Sequence, residues 1–208
     1  MKLYTWPTSP FGAKVWAVAI ATGLDDSITK VLYHPWQTDP ELSKLNPLNK
    51  IPVLITQENE TLYDSPVICE YLIEQSGKKE LLENKWCNLR WQALADGIMD
   101  AGVLVRYETY LRPGHLQCQD WLNRQLSAIH RGLDILSQEK LCDALTLGTI
   151  SIASALAYID LRFKDSFDWK KGREQLAGWY SALSLHPTLV QSKPIDCPLP
   201  TNLCSLQK

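Results

Sequence analysis

The chain has 208 residues, enough for one large domain or two small ones. Its 21 Lys and Arg against 23 Asp and Glu give a net charge of −2, and 45% of its residues are hydrophobic. These values exclude a wholly disordered chain, and they speak against a nucleic-acid binder, which should be visibly basic. No polybasic block addresses a membrane surface, so the composition implies a soluble protein with sizeable buried cores.

In chain order, Lys2 to Trp6 reads as a short strand ended by Pro7. Ser9 can cap a helix that has Pro10 at its first position and Gly23 as its stop, with Phe11, Val15, Val18 and Thr22 on its apolar face. Ile28 to Tyr33 reads as a second strand, followed by a polar loop holding Trp36 and a short helical piece near Pro40 to Leu45. Pro52 to Thr56 and Thr61 to Tyr63 form a hairpin around Glu58-Asn59-Glu60. Ser65-Pro66 then repeats the cap-plus-proline start, with Val67, Ile68, Tyr71 and Leu72 as the buried face and Gly77 as the stop.

After a charged joint the character changes to long helical patterns. Trp86 to Leu111 is one helix, stopping before Pro113. Leu116 to Leu136 is the next, with Trp121, Leu122, Leu126, Ile129 and Leu133 on one stripe. Ile150 to Phe163 is apolar on all sides, Gly172 to Leu185 ends before Pro187, and an extended tail follows Pro194. The division is therefore an α/β domain over 1–77, a linker over 78–85 and an all-α domain over 86–208.

Two stretches imitate membrane or export signals. The charge-free run from Ala144 to Ile159 is shorter than the ~18 apolar residues of a span. Val15 to Leu24 includes a passable cleavage site, but Pro7, Pro10 and Gly12 precede it and Ser9-Pro10 opens a natural helix. The six cysteines form no CxxC pair, and Cys69, Cys87, Cys118 and Cys142 fall in helical-looking stretches. The four histidines pair with no cysteine at metal-ligand spacing, so no metal is expected, and the chain reads as reduced and cytoplasmic.

Three local features carry chemistry. Thr8-Ser9-Pro10 puts hydroxyls where a strand meets a helix N-terminus; Ser9 there serves as a cap, as an anion site, or both. Asn49-Lys50-Ile51-Pro52-Val53 places a proline that cannot donate at a strand start, which leaves an edge where another extended backbone can pair. The sequence leaves the isomer of Ile51–Pro52 open. In Asp64-Ser65-Pro66 the hydroxyl and adjacent N–H groups suit a carboxylate and Asp64 suits an ammonium, the two ends of a free α-amino acid.

The runs MKLYTWPTSPFGAKV, NPLNKIPVLITQENETLYDSPVICEYL, ALADGIMDAGVLVRYETYLRP and LTLGTISIASALAYIDLRFKDSFDW together resemble the bacterial cytosolic glutathione S-transferases. The resemblance implies a thioredoxin-like N-terminal domain, an all-helical C-terminal domain and a homodimer with glutathione as co-substrate. By position, Ser9 matches the hydroxyl that faces the glutathione sulfur, with Thr8 as its competitor. Val53 matches the residue after a cis-proline, Pro52, whose backbone pairs with the cysteinyl unit. Asp64 and Ser65 match the γ-glutamyl clamp, and Lys50 lies where the glycine carboxylate is held. No cysteine stands at 8, 9 or 10, so the hydroxyl-type branch is implied over the cysteine-type ones.

The implied activity is conjugation of the thiolate to small hydrophobic electrophiles, a detoxification chemistry. A glutathione-dependent isomerase or dehalogenase, or a non-catalytic interaction module, are the alternatives. Trp6, Phe11, Trp36, Arg106, Tyr110 and Trp169 are the expected wall of the electrophile pocket. Asp96 and Asp100 share a helix face, where an acid in some members touches glutathione across the dimer. Two departures stand out. Ala13-Lys14 replaces a basic pair, and Thr149 stands where the helix start usually has an acid, so a capping box is expected to be weakened.

Overall fold

A computed structural model describes residues 1–34 and 40–197. β1 (Lys2–Thr5), α1 (Pro10–Thr22), β2 (Thr29–Leu32), α2 (Glu41–Leu45), β3 (Val53–Ile55), β4 (Thr61–Leu62) and α3 (Ser65–Ser76) make an α/β unit in the expected order. Helices α4 (Lys85–Tyr110), α5 (Gln119–Gln138), α6 (Leu147–Phe163), α7 (Glu174–Leu183) and α8 (Pro187–Ser192) follow.

The sheet has the order β2-β1-β3-β4, with β1 parallel to β2 and antiparallel to β3, and β3 antiparallel to β4. The two-residue period of a strand sends neighbouring side chains to opposite faces. Leu3 and Leu54, paired in register, join the main core. Tyr4 and Val53, the next pair, join Tyr33 and Leu42 in a small cluster on the other side. α1 packs beside α3 and also reaches α6 and α8. One apolar core runs without a break from Leu3, Val15 and Leu72 to Trp91, Ile98, Ile150 and Leu156, so the two units share their interior. Every residue of α6 from Leu147 to Ile159 is buried, as its charge-free sequence allows, with the hydroxyls of Thr149, Ser151 and Ser154 donating to backbone carbonyls.

The ends of α1 follow the sequence signals. Ser9 is the N-cap, Pro10 occupies the first turn, and Gly23 closes the helix in the left-handed conformation at φ 74°.

Several expectations need correction. β3 is an interior strand, and the sheet edges lie at β2 and β4. Ser65 is the first residue of α3; Asp64 takes the cap position, its carbonyl accepting the Ile68 N–H at 3.0 Å while its side chain makes no capping bond. Val67 is exposed, and the buried face of α3 is Ser65, Ile68, Cys69, Leu72 and Ile73. Trp121 is exposed, and Gln125, Gly132 and Leu136 complete the α5 stripe with Leu122, Ile129 and Leu133. Pro187 opens α8 instead of only ending α7, because the His186 Nδ1 accepts the Thr188 N–H at 3.3 Å and a proline is tolerated in a first turn. Cys118 is the exposed cap residue of α5, and Cys142 is exposed in the link to α6.

The capping box at α6 is intact. The Thr149 hydroxyl takes the place of the acid, accepting the Thr146 N–H at 2.8 Å, while the Thr146 hydroxyl accepts the Thr149 N–H at 3.2 Å.

Candidate functional site

The start of α1 is built by a close approach. Ser9 has extended backbone, its N–H donating to the Trp6 carbonyl at 2.9 Å and its Oγ accepting the Gly12 N–H at 3.1 Å. Accepting that bond leaves the hydroxyl proton unspent, and no described residue receives it. Capping and donation to an anion are therefore compatible in one side chain. Gly12 is required here: a Cβ at this position would lie 2.0 Å from the Thr5 Oγ1 at the end of β1. Tyr4, the phenol on β1, donates to Glu41 at 2.6 Å, and this bond with burial pushes its pKa up to about 12.

Ser9 opens onto a cleft of about 480 Å³. Trp6, Thr8, Phe11, Arg106 and Tyr110, all anticipated from the sequence, line it with Ser9. Trp169 does not: it is 2% exposed, donates to Asp160 at 2.7 Å and packs edge-on against Tyr180 in the helical core. Trp36 lies outside the described residues. The wall also contains His34, Tyr158, Arg162 and Asp196, which the sequence reading missed. His34 and Tyr158 read as ordinary core residues, and Asp196 lies in a tail without a pattern. The tail reaches the site because the Ile195 N–H donates to the Pro7 carbonyl at 3.1 Å.

The His34 ring stands edge-on to Trp6 with centroids 5.1 Å apart. Burial drives its pKa down to about 4, so it is neutral at neutral pH. Arg106 stacks on Tyr110, its guanidinium carbon 3.5 Å from the ring centroid.

Lys50, Pro52, Val53, Asp64 and Ser65 do not line this cleft; Ile51 does, and the chain leaves it through Pro52. The Ile51–Pro52 peptide is cis. β4 pairs only with Leu54 and Ile55, so Val53 has no strand partner on that side although β3 is interior. The Lys50 carbonyl accepts a bond from the buried Asn46 side chain at 2.9 Å, whose Oδ1 in turn accepts the Leu48 N–H at 3.0 Å. Asn46 is thus the residue that shapes this loop, and nothing in its spacing marks it. Ser65 is 2% exposed at the start of α3, next to the exposed Asp64.

Asp100 on α4 belongs to the same neighbourhood. Desolvation raises its carboxyl pKa, the Lys50 charge opposes this, and Asp64 adds to it. Asp96, one turn earlier, is taken by Lys14 in a salt bridge between α1 and α4. Ala13, where a second basic residue is usual, is itself buried. No helix among the described residues is long and apolar enough to cross a membrane.

Two family models match the chain: the glutathione S-transferase N-terminal domain over residues 8–75 and the glutathione S-transferase C-terminal domain over 119–182. An uncharacterised GST-like protein of Escherichia coli K12, YibF, is 37% identical over 171 residues, covering 78% of this chain and 83% of that protein. A glutathione transferase family member from Pseudomonas fluorescens Pf-5, solved with bound glutathione, superposes with a TM-score of 0.84 at 34% identity, covering 94% of this chain and 99% of that one. A glutathione S-transferase from Methylobacillus flagellatus KT, also with glutathione bound, gives 0.83 at 35% identity over 93% of this chain and 99% of that one.

Proposed function

The chain belongs to the glutathione S-transferase family, and on that premise we propose that it binds glutathione and transfers the thiolate to small electrophiles, with Ser9 as the activating group. The carrying observation is the unspent Ser9 hydroxyl proton at the N-terminus of α1, on the wall of the cleft.

A thiol of pKa about 8.5 is mostly protonated at neutral pH, and lowering it by about two units takes roughly 2.7 kcal/mol. A hydrogen bond to a charged group is worth about 1.5–3 kcal/mol, and a helix terminus about 0.3–2 kcal/mol. Together these span about 1.8–5 kcal/mol, a range that can meet the requirement without a general base. Thr8, on the same cleft wall, is the competing donor.

Residues 1–77 hold the tripeptide in this assignment, and 86–208 supply the electrophile side. The open flank of Val53 suits the cysteinyl backbone. Asp64, its carboxylate uncommitted to capping, suits the γ-glutamyl ammonium, and Ser65 with the α3 N–H groups suits the γ-glutamyl carboxylate. Lys50 suits the glycine carboxylate. A homodimer belongs to the proposal too, supported by an exposed stripe of Trp86, Ala93, Gly97, Asp100 and Leu104 at helical spacing along α4. A cytoplasmic location and a role in detoxification complete it.

Titration calorimetry with reduced glutathione, followed by a chlorodinitrobenzene assay, tests the proposal. Ser65→Ala is expected to weaken glutathione binding, whereas Ser9→Ala mainly slows turnover and raises the pKa of the bound thiol. Unchanged kinetics in Ser9→Ala transfer the role to Thr8 or the backbone. No binding and no turnover in the wild type favour a non-catalytic module.

A further inference from the structure

The electrophile wall is less apolar than its aromatics suggest. Among the described residues its permanent charges are two guanidiniums, Arg106 and Arg162, and one carboxylate, Asp196. Arg162 spends one nitrogen on Asp196 at 3.0 Å and also meets the Tyr158 hydroxyl, but its buried Nε has no hydrogen-bond partner among the described residues. That ion pair is lopsided, because the Arg162 side chain is 17% exposed and the Asp196 side chain 76%. Water therefore screens much of the acid's charge, while the base's charge faces the cleft. Arg106 has no carboxylate partner among the described residues; its guanidinium lies on the Tyr110 ring, which leaves its N–H edge for another acceptor. Desolvation, then the like charge of Arg162, destabilises the Arg106 cation. Two neighbouring guanidiniums set against one solvated carboxylate leave the described wall short of one anion.

Resting on the glutathione-transferase assignment, we propose that the co-substrate carries a carboxylate that docks on Arg106 and Arg162, so that the chain acts on small anionic electrophiles instead of purely hydrophobic ones. The guanidinium fork matches a carboxylate in two-point geometry. Two electrophile types fit. With an α,β-unsaturated acid, the sulfur bonds to the β-carbon, the double-bond pair moves to the α-carbon, and that carbon takes a proton from water. With an α-halo acid, the C–S bond forms as the carbon–halogen bond breaks, and halide leaves with the pair. Ionised carboxylates repel an incoming thiolate, and neutralising them on two cations removes that obstacle.

The test is calorimetry with two glutathione conjugates of equal size, S-carboxymethylglutathione and its neutral amide S-carbamoylmethylglutathione, with reduced glutathione alongside. The wild type is expected to bind the carboxylate form about tenfold or more tightly than the amide, the size of a charge-assisted hydrogen bond. Arg106→Gln and Arg162→Gln are each expected to bring that ratio toward one. Because the ratio is taken within each variant, any general change in glutathione affinity cancels. Equal binding of both conjugates by a wild type that binds glutathione overturns the proposal and leaves the transferase assignment standing. A wild type that binds neither conjugate nor glutathione overturns both.

Discussion

The Lys14 Nζ lies 2.7 and 2.8 Å from the two carboxylate oxygens of Asp96, joining the middle of α1 to the middle of α4. Lys14 is fully buried and the Asp96 side chain is 16% exposed, so neither charge can turn to water without moving a helix. A lysine on a core-facing position is tolerable only with such a partner.

Lys14→Met removes the cation and leaves the carboxylate stranded. Losing one partner of a buried pair costs about 3–5 kcal/mol, whereas replacing both with apolar groups is often close to neutral. In urea unfolding, Lys14→Met should lower the midpoint sharply and Lys14→Met with Asp96→Leu should recover most of the loss. A single variant as stable as the wild type would mean that the pair is not desolvated in solution.

The elements that place the site were legible because their signals are local. A hydroxyl, a proline and a glycine at fixed offsets suffice to write α1, and the same grammar finds α3 to within one residue. The cleft wall was only partly legible, because whether an aromatic faces a cavity or a core depends on tertiary packing. Tyr110 and Trp169 look alike in sequence, yet one stacks on Arg106 at the cleft and the other is sealed against Tyr180. The Lys14–Asp96 pair spans 82 positions, and nothing local announces it.

Gly12 makes the next case. An alanine in a helix is ordinarily the better residue by about 1 kcal/mol. Here its Cβ would meet the Thr5 Oγ1 at 2.0 Å, and Thr5 is 7% exposed with little room to yield. Gly12→Ala should therefore destabilise, by about 1–3 kcal/mol for an overpacked site, and should weaken glutathione binding by displacing the first turn of α1. Thr5→Ala should restore part of both. Thermal unfolding and calorimetry decide it, and a stabilised Gly12→Ala would show that β1 and α1 are not in contact there.

His34 gives a pH prediction with a definite sign. Its pKa falls from an ordinary 6.5 to about 4 because burial disfavours the charged ring. The folded state thus binds fewer protons than the unfolded one between these values. The stabilisation is complete above pH 6.5 and is lost as pH falls toward 4, amounting to no more than about 3 kcal/mol. His34→Gln should flatten the slope of stability against pH in that interval. An unchanged slope in urea melts from pH 7 to 4 would assign the acid sensitivity to other groups.

Thr149 closes the set, because it stands where an acid was expected and does something an acid cannot. Its hydroxyl accepts from the Thr146 N–H at 2.8 Å and also donates to the Ala144 carbonyl at 2.8 Å, tying the start of α6 to the loop before it. The residue is fully buried. Thr149→Val keeps the shape but strands the buried Thr146 N–H, at about 1–3 kcal/mol, and hands the exposed Ala144 carbonyl back to water and the Cys142 thiol at little cost. Thr149→Asp restores the usual capping acid but places a charge in a dry site and removes the donor to Ala144, so it should be no more stable than Thr149→Val. Ranking the three proteins by urea midpoint checks this; a Thr149→Asp variant more stable than the wild type would show that the hydroxyl merely substitutes for an acid.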